Sequence, residues 1–149
     1  MHAAAMTALE QTLHHEIPLS RAMQVRVEHY DGRRLILRAP LGANINHKST
    51  AFGGSLYSLA VLCGWGLLHM KLREAQLHAT IVIQESSIRY LHPVSTDFAA
   101  VCQIPEDFDM ARLLSTLRRR GRARAHLETF IRGTDEVAVE FSGSYVLHA

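Results

Sequence analysis

"HKSTAFGGSLYSLAVLCGWGLLHM", residues 47–70, leaves a polar loop, passes through Gly53-Gly54 and runs to Met70 without a single Asp, Glu, Lys or Arg. A helix at a protein surface carries one apolar stripe and a charged opposite face, so one that is apolar on nearly all sides must be covered on nearly all sides. The uncharged part after Gly53 is shorter than the ~20 residues that cross a bilayer, and it contains Ser55, Ser58 and His69. The reading is a long helix at the centre of a domain, with Asn46, His47 and the two glycines at its mouth.

The flanking sequence supplies what could wrap it. Upstream, residues 4–16 read as a short helix with Leu9 and Leu13 on one face, stopped by Pro18. "QVRVEHYDGRRLILRAPL" then reads as two strands around an Asp31-Gly32 turn. Downstream come four more extended runs: "HATIVIQESSIRYLHPV", "TDFAAVCQIP", "RARAHLETFIRG" and "DEVAVEFSGSYVLHA". In the third, alternation puts Arg122, Arg124, His126 and Glu128 outward, opposite Ala123, Ala125 and Leu127. "DFDMARLLSTLRRRG" interrupts the series as a second helix, with acids at its start, arginines at its end and Gly121 as its stop. Strands that follow a helix and are joined by short turns argue for an α+β domain, an antiparallel sheet curled around that helix.

The composition excludes several classes. A chain of 149 residues fits one domain, 1–149, with residues 1–18 as a helical N-terminal extension, and a formal charge of +2 is too small to imply a nucleic-acid partner. Cys63 and Cys102 lie in apolar runs without C-x-x-C spacing, which reads as buried free thiols. The ten histidines show neither H-x-x-x-H nor H-E-x-x-H spacing, so no metal is expected. Glu10 interrupts what a signal peptide would keep apolar, and the expected location is cytoplasmic, with no membrane partner.

"INHKSTAFGGSLYSLAVLCGWG" and "IRYLHPV", together with the order of elements, resemble the hotdog-fold acyl-CoA thioesterases, and most of all the thioesterase-like domain that some bacteria fuse to a GNAT acetyltransferase. The resemblance spans residues 22–148. It implies a hotdog fold and hydrolysis of an acyl-CoA or an acyl carrier protein thioester. No cofactor is implied beyond coenzyme A as part of the substrate. It also implies a homodimer, with room for dimers to pair into tetramers. In related enzymes an Asn seven residues before the first Gly of the pair helps to hold the thioester, and that Gly polarises the carbonyl through its N–H; Asn46 and Gly53 match. Bare backbone at a helix N-terminus suits a developing oxyanion on physical grounds alone.

Two departures stand out. The His that often precedes Gly-Gly is Phe52, and the carboxylate expected eight residues beyond the first Gly falls on Val61. Water would then need a base from elsewhere. Glu85 is the first candidate: Ile81 and Ile83 share one strand face while Ile88 and Tyr90 share the other, so a bulge is expected within Gln84–Ser87, and bulges gather near active sites. His47 is the second, as a loop imidazole beside Asn46. Gly54, Ser55, Tyr57 and Ser58 in the first helical turns, with Ser86 and Ser87 on the strand, are the expected substrate contacts. Alternative readings are a domain that binds acyl thioesters without turning them over, favoured by the missing carboxylate, and a hydratase or dehydratase, which would need a helix acid. The arginines at 118–120, 122 and 124 read either as a solvated helix end or as a phosphate-binding run.

Overall fold

The computed structural model describes all of residues 1–149. Six strands form one antiparallel sheet: β1 Arg26–Tyr30, β2 Arg34–Ala39, β3 Thr80–Tyr90, β4 Phe98–Gln103, β5 Arg122–Arg132 and β6 Val137–His148. Their order across the sheet is β1-β2-β4-β5-β6-β3. The β1–β2 turn forms as expected, with Asp31 Oδ1 accepting from the N–H groups of Arg33 and Arg34.

The helices are α1 Ala3–Glu16, α2 Pro18–Ala22, α3 Gly53–Glu74 and α4 Met110–Arg120. Pro18 ends α1 and also opens α2, a short helix absent from the sequence reading; at a first helical position its missing N–H is no loss. The N-terminal helix α1 buries Leu9 and Leu13 in the common core. The N-terminus of α4 is capped by Asp109, whose carboxylate accepts from the N–H of Arg112, and Gly121 closes it in a left-handed conformation.

With 22 residues, α3 is about 33 Å long and packs on the inner face of β2, β3, β4, β5 and β6. It runs one turn beyond Met70, where Lys71 pairs with Glu74 at 2.7 Å and donates to the carbonyl of Gly32 at 2.8 Å. This is the hotdog fold, one long helix wrapped by an antiparallel sheet. The wrapping is tightest at Gly64, where a Cβ would stand 2.3 Å from the hydroxyl of the fully buried Tyr145. That hydroxyl instead reaches the helix backbone and donates to the carbonyl of Val61 at 2.9 Å.

The cover is incomplete along one line. Tyr57, Val61, Trp65 and His69, each four residues from the next, stay half-buried on the side of α3 that runs beside β3. Tyr57 bonds to Ser86 there, and the Trp65 indole donates to the carbonyl of Ile81 at 3.1 Å. β3 is an edge strand of 11 residues that pairs only with β6, and Val82 is exposed on it. The opposite edge, β1, has five residues and lies against α1. No helix is long and apolar enough to cross a membrane.

Candidate active site

The mouth of α3 is built from backbone. Phe52, the N-cap residue, is extended and provides no side-chain cap. Its carbonyl takes the N–H groups of Ser55 and Leu56 at 2.9 and 3.1 Å, while those of Gly53 and Gly54 find no acceptor in the chain. Two free donors at the positive end of a 22-residue helix form a site for negative charge on an oxygen. The exposed Phe52 ring folds back over Gly54, which can carry no side chain in this arrangement, since a Cβ would stand 2.4 Å from the ring.

Around this point the walls are apolar with polar tips. Tyr90 donates its hydroxyl to the carbonyl of Gly53 at 3.0 Å, and burial, with a smaller effect from Tyr57, pushes its phenol pKa up. Tyr90 is not among the site residues expected from the sequence; the signal for it is its alternation with Ser86 and Ile88 on one strand face. A hollow of about 270 Å³ opens here between Gly53, Leu56, Tyr90, Leu91, Pro93 and Val94. A turn further along α3, the Tyr57 hydroxyl and Ser86 Oγ are 2.5 Å apart, and the Tyr57 ring rests edge-on against Phe141. Ser55 and Ser58 are half-buried nearby and make no side-chain hydrogen bond.

A short loop closes over the mouth, tied by a bridge between Ile45 and Ala51, by the Phe52 N–H to the carbonyl of Asn44 (2.7 Å) and by the Ala51 N–H to the carbonyl of Val94 (2.8 Å). Asn46 organises it. Its oxygen accepts from the N–H groups of Lys48 and Thr50 at 2.8 and 3.1 Å, and its amide donates to Thr50 Oγ1 at 2.8 Å and the carbonyl of Ala51 at 3.4 Å. Every polar atom of the side chain is thus engaged within the loop. The next residue, His47, is exposed and unbonded.

The bulge expected in β3 is present, but it corrects the assignment of Glu85. The pairing shifts between Ile83 and Glu85, which makes Gln84 the extra residue. Glu85 then lies opposite Ser144, and Ser87 opposite Ser142 with the two hydroxyls 3.1 Å apart. Ser144 bonds to His126, on the outward row of β5, at 3.0 Å. Directly opposed residues of an antiparallel pair point to the same side. Glu85 and Ser87 therefore face outward, away from α3, and cannot act at the mouth of this subunit. Ser86 faces inward. The contacts at the mouth join Tyr57 to Ser86 and Tyr90 to Gly53, with Gly54 next in the chain.

The chain belongs to a thioesterase family: the family described as "Putative thioesterase (yiiD_Cterm)" matches residues 6–149. A protein of unknown function from Chlorobaculum tepidum TLS is 35% identical and superposes with a TM-score of 0.90, covering 97% of this chain and 94% of its own. The "putative thioesterase from Shewanella oneidensis" is 32% identical with a TM-score of 0.89, covering 97% of both chains. A thioesterase from Haemophilus influenzae, 14% identical over 95% of this chain and 89% of its own, shares the fold with a TM-score of 0.74. Family and neighbours together support a thioesterase-type function.

Proposed function

We propose that the protein hydrolyses acyl-CoA thioesters as a cytoplasmic homodimer. The observation that carries this reading is the pair of free N–H groups at Gly53 and Gly54, open beside the Tyr57–Ser86 hydroxyl pair. The thioester oxygen takes those two N–H groups, which favour the tetrahedral oxyanion over the ground-state carbonyl. A water held by the two hydroxyls attacks the carbonyl carbon, and His47, from the loop that Asn46 holds in shape, accepts its proton. The C–S bond then breaks, the thiolate leaves with that proton, and a carboxylic acid remains.

What one subunit leaves open supports the dimer. An 11-residue edge strand with free backbone groups lies next to the half-covered stripe of α3. Antiparallel self-pairing of β3 with full overlap places the two-fold axis near Glu85 and Ser86, the point where β3 meets Tyr57. The two stripes then cover each other, and the partner's Val61 and the partner's Trp65 come to lie across from the mouth.

Thiol release from a panel of acyl-CoA chain lengths tests the proposal. Ser86→Ala and His47→Ala should each lower kcat by about tenfold or more, whereas Glu85→Ala should leave it unchanged. A second reading, an acyl-thioester binding domain without turnover, is favoured by the lack of any acid from Gly54 to Met70 and by the outward turn of Glu85. Binding of acyl-CoA with no thiol released from any chain length would establish it instead.

A further inference from the structure

The hollow beside Gly53 is apolar except at two places. Leu56, Leu91, Pro93 and Val94 give it aliphatic walls, and Tyr90 and His92 are its only polar side chains. The Tyr90 proton is already committed to the carbonyl of Gly53. His92 is different. It lies on the segment that separates this hollow from a second one, of about 280 Å³, beside the β5–β6 turn, and it lines both. On the far side its Nε2 stands 3.4 Å from a carboxylate oxygen of Glu136. A carboxylate at Nε2 favours the tautomer with the proton on that nitrogen, which leaves Nδ1 as an acceptor without a partner. Both residues are exposed, so as an ion pair they add little stability; what Glu136 fixes is the direction of the ring. The backbone beneath is held on both sides. The N–H groups of Leu91 and His92 reach the carbonyl of Ala138 at 2.8 and 3.3 Å, the carbonyl of Val94 is bonded to the mouth loop, and Pro93 between them has a fixed φ.

We propose that this hollow takes a short hydroxyacyl chain and that His92, oriented by Glu136, recognises the hydroxyl. The inference rests on the thioesterase reading above and deepens it by naming the substrate class; it needs no residue of a partner subunit. A hollow of about 270 Å³ has room for about nine non-hydrogen atoms at ~30 Å³ each. A chain of about six carbons with its hydroxyl fills that space, and a long fatty chain exceeds it. With the thioester oxygen on the N–H groups of Gly53 and Gly54, the chain lies along Leu56 and Val94, and its hydroxyl donates to Nδ1 of His92. A purely hydrocarbon chain would cover that nitrogen without pairing it, which is the penalty by which a polar pocket rejects an analogue lacking the hydroxyl. A chain ending in a carboxylate is disfavoured by the negative charge of Glu136 behind the ring.

Thiol release from matched acyl-CoAs tests this: butyryl and hexanoyl chains, each with and without a hydroxyl at the third carbon or at the chain end, beside succinyl and dodecanoyl. At least one hydroxylated chain should exceed its plain counterpart in kcat/KM by about tenfold in the wild type, with succinyl and dodecanoyl both poorer. His92→Ala should bring that ratio down about tenfold, to near one. His92→Asn, whose amide stands close to the position of Nδ1, should keep part of the preference, and Glu136→Gln should lose less of it than His92→Ala. The ratio, unlike the rate, does not move when a substitution merely loosens the segment. The same ratio in wild type and His92→Ala, or a wild-type preference for plain, succinyl or dodecanoyl chains, would overturn the proposal. Calorimetric titration with the matching ketone analogues, in which a methylene replaces the thioester sulfur and no hydrolysis can occur, separates the two readings. A His92-dependent preference in binding without thiol release from any thioester keeps the hydroxyacyl site and removes the hydrolase, and turnover with no His92-dependent preference does the reverse.

Discussion

Gly64→Ala tests how closely the sheet is wrapped on the central helix. The added methyl would meet the Tyr145 hydroxyl at 2.3 Å, Cζ at 2.6 Å and Cε1 at 2.8 Å. Tyr145 is fully buried, so its ring has no free space to move into. Overpacking of this kind costs ~1–3 kcal/mol. Moving the hydroxyl off the carbonyl of Val61 costs a further ~0.5–1.5 kcal/mol. Replacing Gly by Ala inside a helix returns about 1 kcal/mol. The net expectation is a destabilisation of about 1–3 kcal/mol, or roughly 2–10 °C in Tm for a chain of this size. Urea titrations at several protein concentrations would measure it while separating unfolding from subunit dissociation. The cycle with Tyr145→Phe sharpens the test: removing the closest atom relieves part of the clash, so the two changes should be less than additive. A Gly64→Ala variant as stable as wild type, or strict additivity with Tyr145→Phe, would refute the close approach of ring and helix.

Asn46→Ala should loosen the loop and lower kcat/KM by ~1–3 kcal/mol of transition-state stabilisation, while Asn46→Asp, which keeps both acceptor contacts, should lose less; equal activity of all three on the best substrate would remove the loop from the mechanism. Val82→Lys puts two like charges on the proposed β3–β3 contact and should shift sedimentation toward monomer; a stable wild-type monomer at micromolar concentration would refute the dimer. Val61→Asp places a carboxylate on the half-covered stripe, where it would face the partner's mouth, and should raise kcat for acyl-CoA; no rise in a folded dimer would count against that juxtaposition. The Asp31 carboxyl is held down to about 2, first by the Arg33 N–H, so its contribution is complete above the ordinary carboxyl value of 3.8 and is lost as pH falls through about 2. Asp31→Ala should therefore flatten that part of the acid unfolding curve, and an unchanged acid limb would remove the turn from it.

The order of the elements and their faces were legible because their causes are local. A run without charge from Gly54 to Met70 can only be a covered helix, Asp31-Gly32 can only be a tight turn, and alternation in β5 assigns Arg122, Arg124 and His126 to the outer side before any pairing is known. The bulge in β3 was legible too, from the switch of parity between Ile83 and Ile88. What the chain alone could not decide is which residue is the extra one. An insertion at Ser86 would have kept Glu85 on the inner face beside α3; an insertion at Gln84 turns it outward, and that choice is made by the pairing with β6. Asn46 is similar, since its spacing from Gly53 is visible in one dimension, whereas the commitment of its amide to Thr50 and Ala51 depends on how the loop closes. Secondary structure follows from short-range sterics and periodicity, but the direction of a side chain at a bulge or in a closed loop follows from partners that only the fold brings within reach.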